Sequence, residues 1–222
     1  MPIRLMRNRI AVGIVASSVW CALLSTATAQ AAPAVPSVPP SLSDAEREKA
    51  ILNLDATRQL FVKSISGISE KQWRYKPAPD RWSIAEVAEH ITVTESAILT
   101  LVREQLMKSP AAPEKRAEVN TKDEIVLTKI PDRSTKFQAP EILKPTGRFA
   151  TRADLAKAFD EARQATIEYV RTTTDPLREH FWDHPVLGEL DGYQWLLLNA
   201  AHCARHIKQI EEVKADPGYP KD

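Results

Sequence analysis

His202 and His206 stand four residues apart in the segment that runs from Tyr193 through Trp195, Leu198, Cys203 and Arg205 to Gln209 and Ile210. In a helix this spacing turns the two side chains apart by only ~40° and separates them by ~6 Å, so both imidazoles can reach one ion. Their face continues as Trp195, Leu198, His202, His206, Gln209 or Ile210, and Val213. That face is the apolar one, and it directs the pair inward. Taken alone, a His-x-x-x-His pair is more simply read as two histidines bonded in a core or standing at a solvent edge. A third histidine shifts the balance. His90 lies on the flank of another apolar stripe, seven residues and ~10 Å beyond the helix start at Ser83, while His202 and His206 lie ~19 and ~13 Å from the far end of their own helix. Two such helices running antiparallel bring all three rings within a layer or two of one another.

Three neutral imidazoles leave one or more coordination positions of a divalent ion open, which is the arrangement of a catalytic rather than a structural site. Water fills such a gap, and Zn²⁺ lowers the pKa of that water toward ~7, generating a nucleophile or activating a bound thiol. Zn²⁺ is the first expectation, but Ni²⁺, Fe²⁺ and Mn²⁺ also accept imidazole. No Glu-x-x-His occurs on an expected helix, which opposes a di-iron carboxylate centre. Around the triad, Arg205 and Gln209 are candidates to hold a substrate carboxylate or to bond a ligand imidazole, against facing solvent or a neighbouring backbone. His184, just before Pro185 in a loop, either lines the pocket or fixes the loop. Cys203, ~80° around the helix from the histidine pair, reads as a small packed residue. His180 reads as solvent-facing, and Trp82 and Trp195 as staples and core rather than a substrate platform.

The elements that must position these groups are helical. Ser43 with Glu46 forms a capping box that opens a first helix to about Ser66. Ser83 with Glu86 forms another, with Trp82 able to staple onto Val87, and opens a second helix to about Met107. Thr151 and Asp154 open a third, ending near Thr174. Asp191 with Gln194 opens a fourth, with Leu190 able to staple onto Trp195, which runs to about Ala215 before Asp216-Pro217-Gly218. Between the second and third, residues 109–150 hold five prolines (Pro110, Pro113, Pro131, Pro140, Pro145) and one short helical stretch near Lys122 to Leu127. So long a connection is a functional cover or a crossover between helices that run the same way. No alternating run is long enough for a sheet. The expectation is an all-α four-helix bundle over residues 43–215, with a tail at 216–222.

At the N-terminus, Arg4, Arg7 and Arg9 precede an uncharged apolar run from Ile10 to Leu24, followed by Ser25-Thr26-Ala27-Thr28-Ala29-Gln30-Ala31. The run is ~15 residues, short of the ~20 that span a bilayer, and it reads as a signal peptide over 1–31, cleaved after Ala29 or Ala31. An uncleaved anchor is the alternative. Residues 32–42, rich in proline, read as an extended tether. These features predict an exported protein, periplasmic or extracellular, with no stable membrane anchor after cleavage. The whole chain carries 30 basic and 29 acidic side chains. Loss of residues 1–31 removes three arginines, leaving 27 against 29 and a charge of −2, which gives no electrostatic footprint for nucleic acid. Of the two cysteines only Cys203 would survive processing, so no intrachain disulfide can form.

From about Leu52 to Val213 the chain resembles the DinB-like superfamily and, within it, four-helix enzymes related to bacillithiol and mycothiol S-transferases. The resemblance rests on Pro77-x-x-x-Arg81-Trp82-Ser83-Ile84-x-x-Val87-x-x-His90-Ile91, on His184-Pro185-x-x-Gly188 followed by Trp195, and on His202-x-x-x-His206-Ile207-x-Gln209-Ile210. It implies an up-down-down-up topology and a metal triad of one histidine on the second helix and two on the fourth, which fall on His90, His202 and His206. It also implies association through helix faces, hence a homodimer. The thiol cofactors of the characterised relatives are cytosolic, so an exported chain would meet little of them. The functional expectation is a metal-dependent hydrolase or transferase acting on a small molecule, with metal-activated water as the reacting species. The alternative is a non-catalytic binding or stress-related protein whose bundle the metal braces.

Overall fold

The computed structural model describes residues 42–221. The expected signal peptide, and the tether apart from Leu42, lie outside the described residues. Leu42 is not extended tether but part of the core, 1% exposed.

Four long helices form the body: α1 (Asp44–Ile65), α3 (Ile84–Glu104), α6 (Arg152–Thr172) and α7 (Gly192–Lys214). Each begins at a reciprocal capping box, Ser43/Glu46, Ser83/Glu86, Thr151/Asp154 and Asp191/Gln194, so these helix starts are set by local chemistry alone. Between α1 and α3 the structure adds a short helix, α2 (Glu70–Arg74), with its own box at Ser69/Gln72. Among the described residues no helix is long and apolar enough to cross a membrane.

Side-chain bonds between helices give their relative directions. Arg58 reaches Asp160 (2.6 Å) and Arg152 reaches the Ile68 carbonyl (2.7 Å), so α1 and α6 are antiparallel. His90 meets His202, and Asn199 reaches the Glu95 carbonyl (3.3 Å), so α3 and α7 are antiparallel. Tyr193 donates to the Glu46 carbonyl (2.8 Å) and Cys203 lies on the Thr57 carbonyl (3.8 Å), so α1 and α7 are parallel. It follows that α3 and α6 share a direction, and the chain between them must travel back along the bundle. Residues 109–150 do this, and they carry more helix than the proline pattern suggests: α4 (Arg116–Val119), and α5 (Lys122–Lys129), which packs along α7.

The core has two apolar parts. One holds Leu54, Ile98, Val102, Val126, Ile167 and Leu197; the other holds Phe61, Ile84, Ile91, Phe159 and Ile210. Between them runs a polar layer. Arg163, with no exposed surface, donates to both carboxylate oxygens of Glu95 (2.8 and 2.7 Å), to Thr57 Oγ1 (2.7 Å) and to the Leu54 carbonyl. Because each of its three nitrogens has an acceptor, this buried charge is tolerated, and it ties α1, α3 and α6 at one level.

The expectation of no sheet is corrected by a hairpin of β1 (Phe181–His184) and β2 (Gly188–Asp191), antiparallel with His184 opposite Gly188. Four-residue strands are too short to show alternation in sequence. The signal lies instead in the turn: a three-residue loop, Pro185-Val186-Leu187, closed by Gly188 at φ +67°, a left-handed conformation that favours glycine.

Candidate metal centre

The second turn of α3 and the middle of α7 bring His90, His202 and His206 together. Ring centroids are 5.0 Å apart for His90 and His202, 4.6 Å for His90 and His206, and 4.4 Å for His202 and His206. One nitrogen from each ring can be chosen so that all three lie within 4.8 Å of one another. Nitrogens bound to one tetrahedral ion at ~2.0–2.1 Å stand ~3.3 Å apart, so small ring rotations suffice to close the set.

Hydrogen bonds behind the rings fix which nitrogens face inward. His90 Nδ1 lies 2.8 Å from the Leu143 carbonyl, which can only accept, so Nδ1 carries the proton and Nε2 the lone pair. His206 Nδ1 lies 2.8 Å from Gln209 Oε1, an oxygen that also accepts from Arg133 (3.3 Å), so His206 likewise presents a free Nε2. His90 Nε2 faces His202 Nε2 at 3.1 Å. Without a cation the His202 nitrogen must hold a proton there; with one, both lone pairs can turn onto it.

The electrostatics favour neutral rings. Burial pulls the His90 pKa below its ordinary value, and the bond to Leu143 only partly offsets this. Burial, then repulsion from His206 and His90, puts His202 well below that value; burial, then repulsion from His90, does the same for His206. His90 is buried, while His202 and His206 keep some accessible surface although protein surrounds them at longer range. Neutral imidazole is the form that binds metal.

The crossover is anchored around this cluster. Besides the Leu143 contact, the buried Glu89 carboxylate accepts from the backbone N–H groups of Thr146 (2.7 Å), Gly147 (2.8 Å) and Arg148 (3.3 Å). On α7, Arg205 donates to the carbonyls of Ile130 (3.1 Å), Asp132 and Thr135 (2.6 Å) and lies over the Phe137 ring. Arg205 therefore staples the end of α5 to α7 and is not aimed at a substrate carboxylate. Gln209 does take the position behind a ring that its spacing suggested.

One further expectation is corrected. His180 is 8% exposed, not solvent-facing, with Nδ1 3.5 Å from Ser109 Oγ. Trp195 lies in the core and Trp82 packs against the core, as expected; Trp82 also lies against the His90 ring at 5.1 Å and Trp195 against His184 at 5.5 Å. Cys203 is packed away as expected, its thiol pushed up to about 12 mainly by burial. Leu143, Glu89 and Arg133 were missed. Leu143 acts through its carbonyl, which any residue could supply, and Glu89 falls opposite the apolar stripe of α3, where a charge reads as solvated until the crossover covers it.

Residues 53–210 match the DinB superfamily. YuaE, an uncharacterised protein of Bacillus subtilis (strain 168), is 25% identical over 150 residues, spanning 68% of this chain and 88% of YuaE. Among solved structures, YfiT from Bacillus subtilis, described as "a probable metal-dependent hydrolase with an unusual four-helix bundle topology", aligns with TM-score 0.50 and 14% identity over 81% of this chain and 91% of that one. The four-helix bundle protein TT2238 aligns with TM-score 0.49 and 19% identity over 75% of this chain and 98% of its own. At these identities the likeness to YfiT shows the fold: a four-helix bundle.

Proposed function

The chain belongs to the DinB superfamily, and from that premise we propose that it is a metal-dependent enzyme of hydrolase or transferase type, with His90, His202 and His206 as ligands of one divalent ion. The observation that carries this reading is the convergence of three imidazoles from two helices, two of them with Nδ1–H bonded outward and Nε2 left as acceptor. Among the described residues no carboxylate or thiol joins the cluster, so the protein supplies three ligands and leaves room for an exogenous one. That YfiT is described as a probable metal-dependent hydrolase agrees with this. A divalent ion held there would act as a Lewis acid and lower the pKa of its bound water. The chain's own residues do the positioning: Leu143 and Gln209 set two ring orientations, and Trp82 walls one side of His90.

Export is part of the proposal, on the strength of Arg4 to Ala31; mature protein in a periplasmic fraction should begin at Gln30 or Ala32. Zn²⁺ is the preferred ion for a three-imidazole set. The test is elemental analysis of purified protein. About one divalent ion per chain is expected, lost in His202→Ala and kept in Cys203→Ser. Equal loss in both variants would break the ligand assignment. A metal that only braces the bundle predicts the same occupancy but a fourth protein ligand, which a Co²⁺ spectrum insensitive to added anions would reveal.

A further inference from the structure

His184 has a fixed polarity. Its Nδ1 lies 3.2 Å from the backbone nitrogens of both Val186 and Leu187. Those N–H groups only donate, so Nδ1 holds the lone pair and the ring proton sits on Nε2. Burial lowers its pKa, which keeps the ring neutral. Among the described residues no acceptor meets that Nε2–H, although the ring is held firmly. It packs on Trp195, whose Nε1 donates back to the Trp182 carbonyl in β1 (3.2 Å), locking the hairpin to α7. Trp195 precedes His202 by seven residues, two helical turns and ~20° off the same line.

We propose that His184 is a ligand-contacting residue of the metal centre, whose Nε2–H donates to the carbonyl or carboxylate oxygen of a substrate seated between the hairpin and the triad. The inference rests on the metal reading above. The tautomer restricts the role sharply. Nε2 already carries its proton and Nδ1 is occupied, so this ring cannot take a proton from a nucleophile. It can steady negative charge that builds on an acyl oxygen, as preorganised donors do. The substrate class this selects is an ester, amide or related acyl compound. The competing role is structural: Nδ1 caps the turn and nothing more.

The two roles use different nitrogens, so two substitutions separate them. Asn places an acceptor near Nδ1 and removes the outer donor; Gln does the reverse. Full-length protein loaded with Co²⁺ is titrated with acetohydroxamate and followed by its visible spectrum, with Co²⁺ affinity and melting temperature measured first. His184→Asn should bind Co²⁺ and melt as wild type yet bind acetohydroxamate about tenfold more weakly, the cost of one hydrogen bond to a charged group. His184→Gln should melt lower and keep most of the affinity. Wild-type acetohydroxamate affinity in a Co²⁺-loaded Asn variant would overturn the inference and leave His184 a turn cap. Should the Asn variant not fold, His184→Gln and His184→Leu, which both lack the turn acceptor, are compared: affinity about tenfold weaker in Leu than in Gln supports the donor role, and equal affinity overturns it. Absence of Co²⁺ binding by the wild-type chain would sink the metal reading itself, and it is seen before any acetohydroxamate is added.

Discussion

Stripped of metal, the protein should become steeply acid-sensitive just below neutrality. The cause is the crowding of His90, His202 and His206, whose folded-state pKa values all lie below the ordinary histidine value because burial, and for two of them mutual repulsion, disfavours charge. In the unfolded chain the same rings take up protons near pH 6.5. Below that point the unfolded state holds more protons than the folded one, so stability rises with pH and drains away as pH falls. Each ring contributes at most ~1.4 kcal/mol per pH unit, and the three together ~4 kcal/mol per pH unit while all remain neutral in the fold. For a domain of this size ~1 kcal/mol moves Tm by ~2–4 °C, so the steepest part of the curve should fall by ~8–16 °C per pH unit. The assay is calorimetry of chelator-treated protein between pH 7.5 and 5.5, beside His202→Asn. The variant removes one titrating ring and should lose about a third of the slope; His184, lowered by burial in both proteins, cancels in the comparison. Metal-loaded protein should be the more stable at pH 7.5 and approach the stripped protein at pH 5.5, as protons displace the ion. A flat profile across this window, or equal slopes in wild type and His202→Asn, would refute the reasoning.

Two other outcomes are expected. Gln209→Leu removes the acceptor for His206 Nδ1–H and should weaken Zn²⁺ binding about 10–100-fold in calorimetric titration, with little change in the circular dichroism of the apo fold. Arg163→Met strands the buried Glu95 carboxylate and should cost ~3–5 kcal/mol in denaturant unfolding, whereas adding Glu95→Leu should restore much of that loss; strict additivity of the two changes would show that the pair is not coupled.

The bundle was legible because helix starts and buried faces are local properties. Four capping boxes and their apolar stripes mark α1, α3, α6 and α7 to within a residue or two at their starts, and the five prolines mark the long connection. Shorter elements left weaker traces. The five residues of α2 are less than two turns, and the hairpin's four-residue strands carry no usable period. His180 was misplaced because its burial comes from segments distant in the chain, here the turn at Ser109.

Sequence alone determined that two imidazoles share one face of α7 and that a third lies near the start of another helix, since helical geometry follows from spacing of a few residues. Only the tertiary structure decided which nitrogen of each ring looks inward. Those choices depend on a carbonyl at Leu143, an amide at Gln209 and two turn N–H groups at Val186 and Leu187. Three of those four partners are backbone atoms common to nearly every residue type, and one of the four, Leu143, acts across a long chain separation. Gln209, three residues from His206, was legible from spacing; folding brings the Leu143 carbonyl to His90, and composition and periodicity carry no record of that contact.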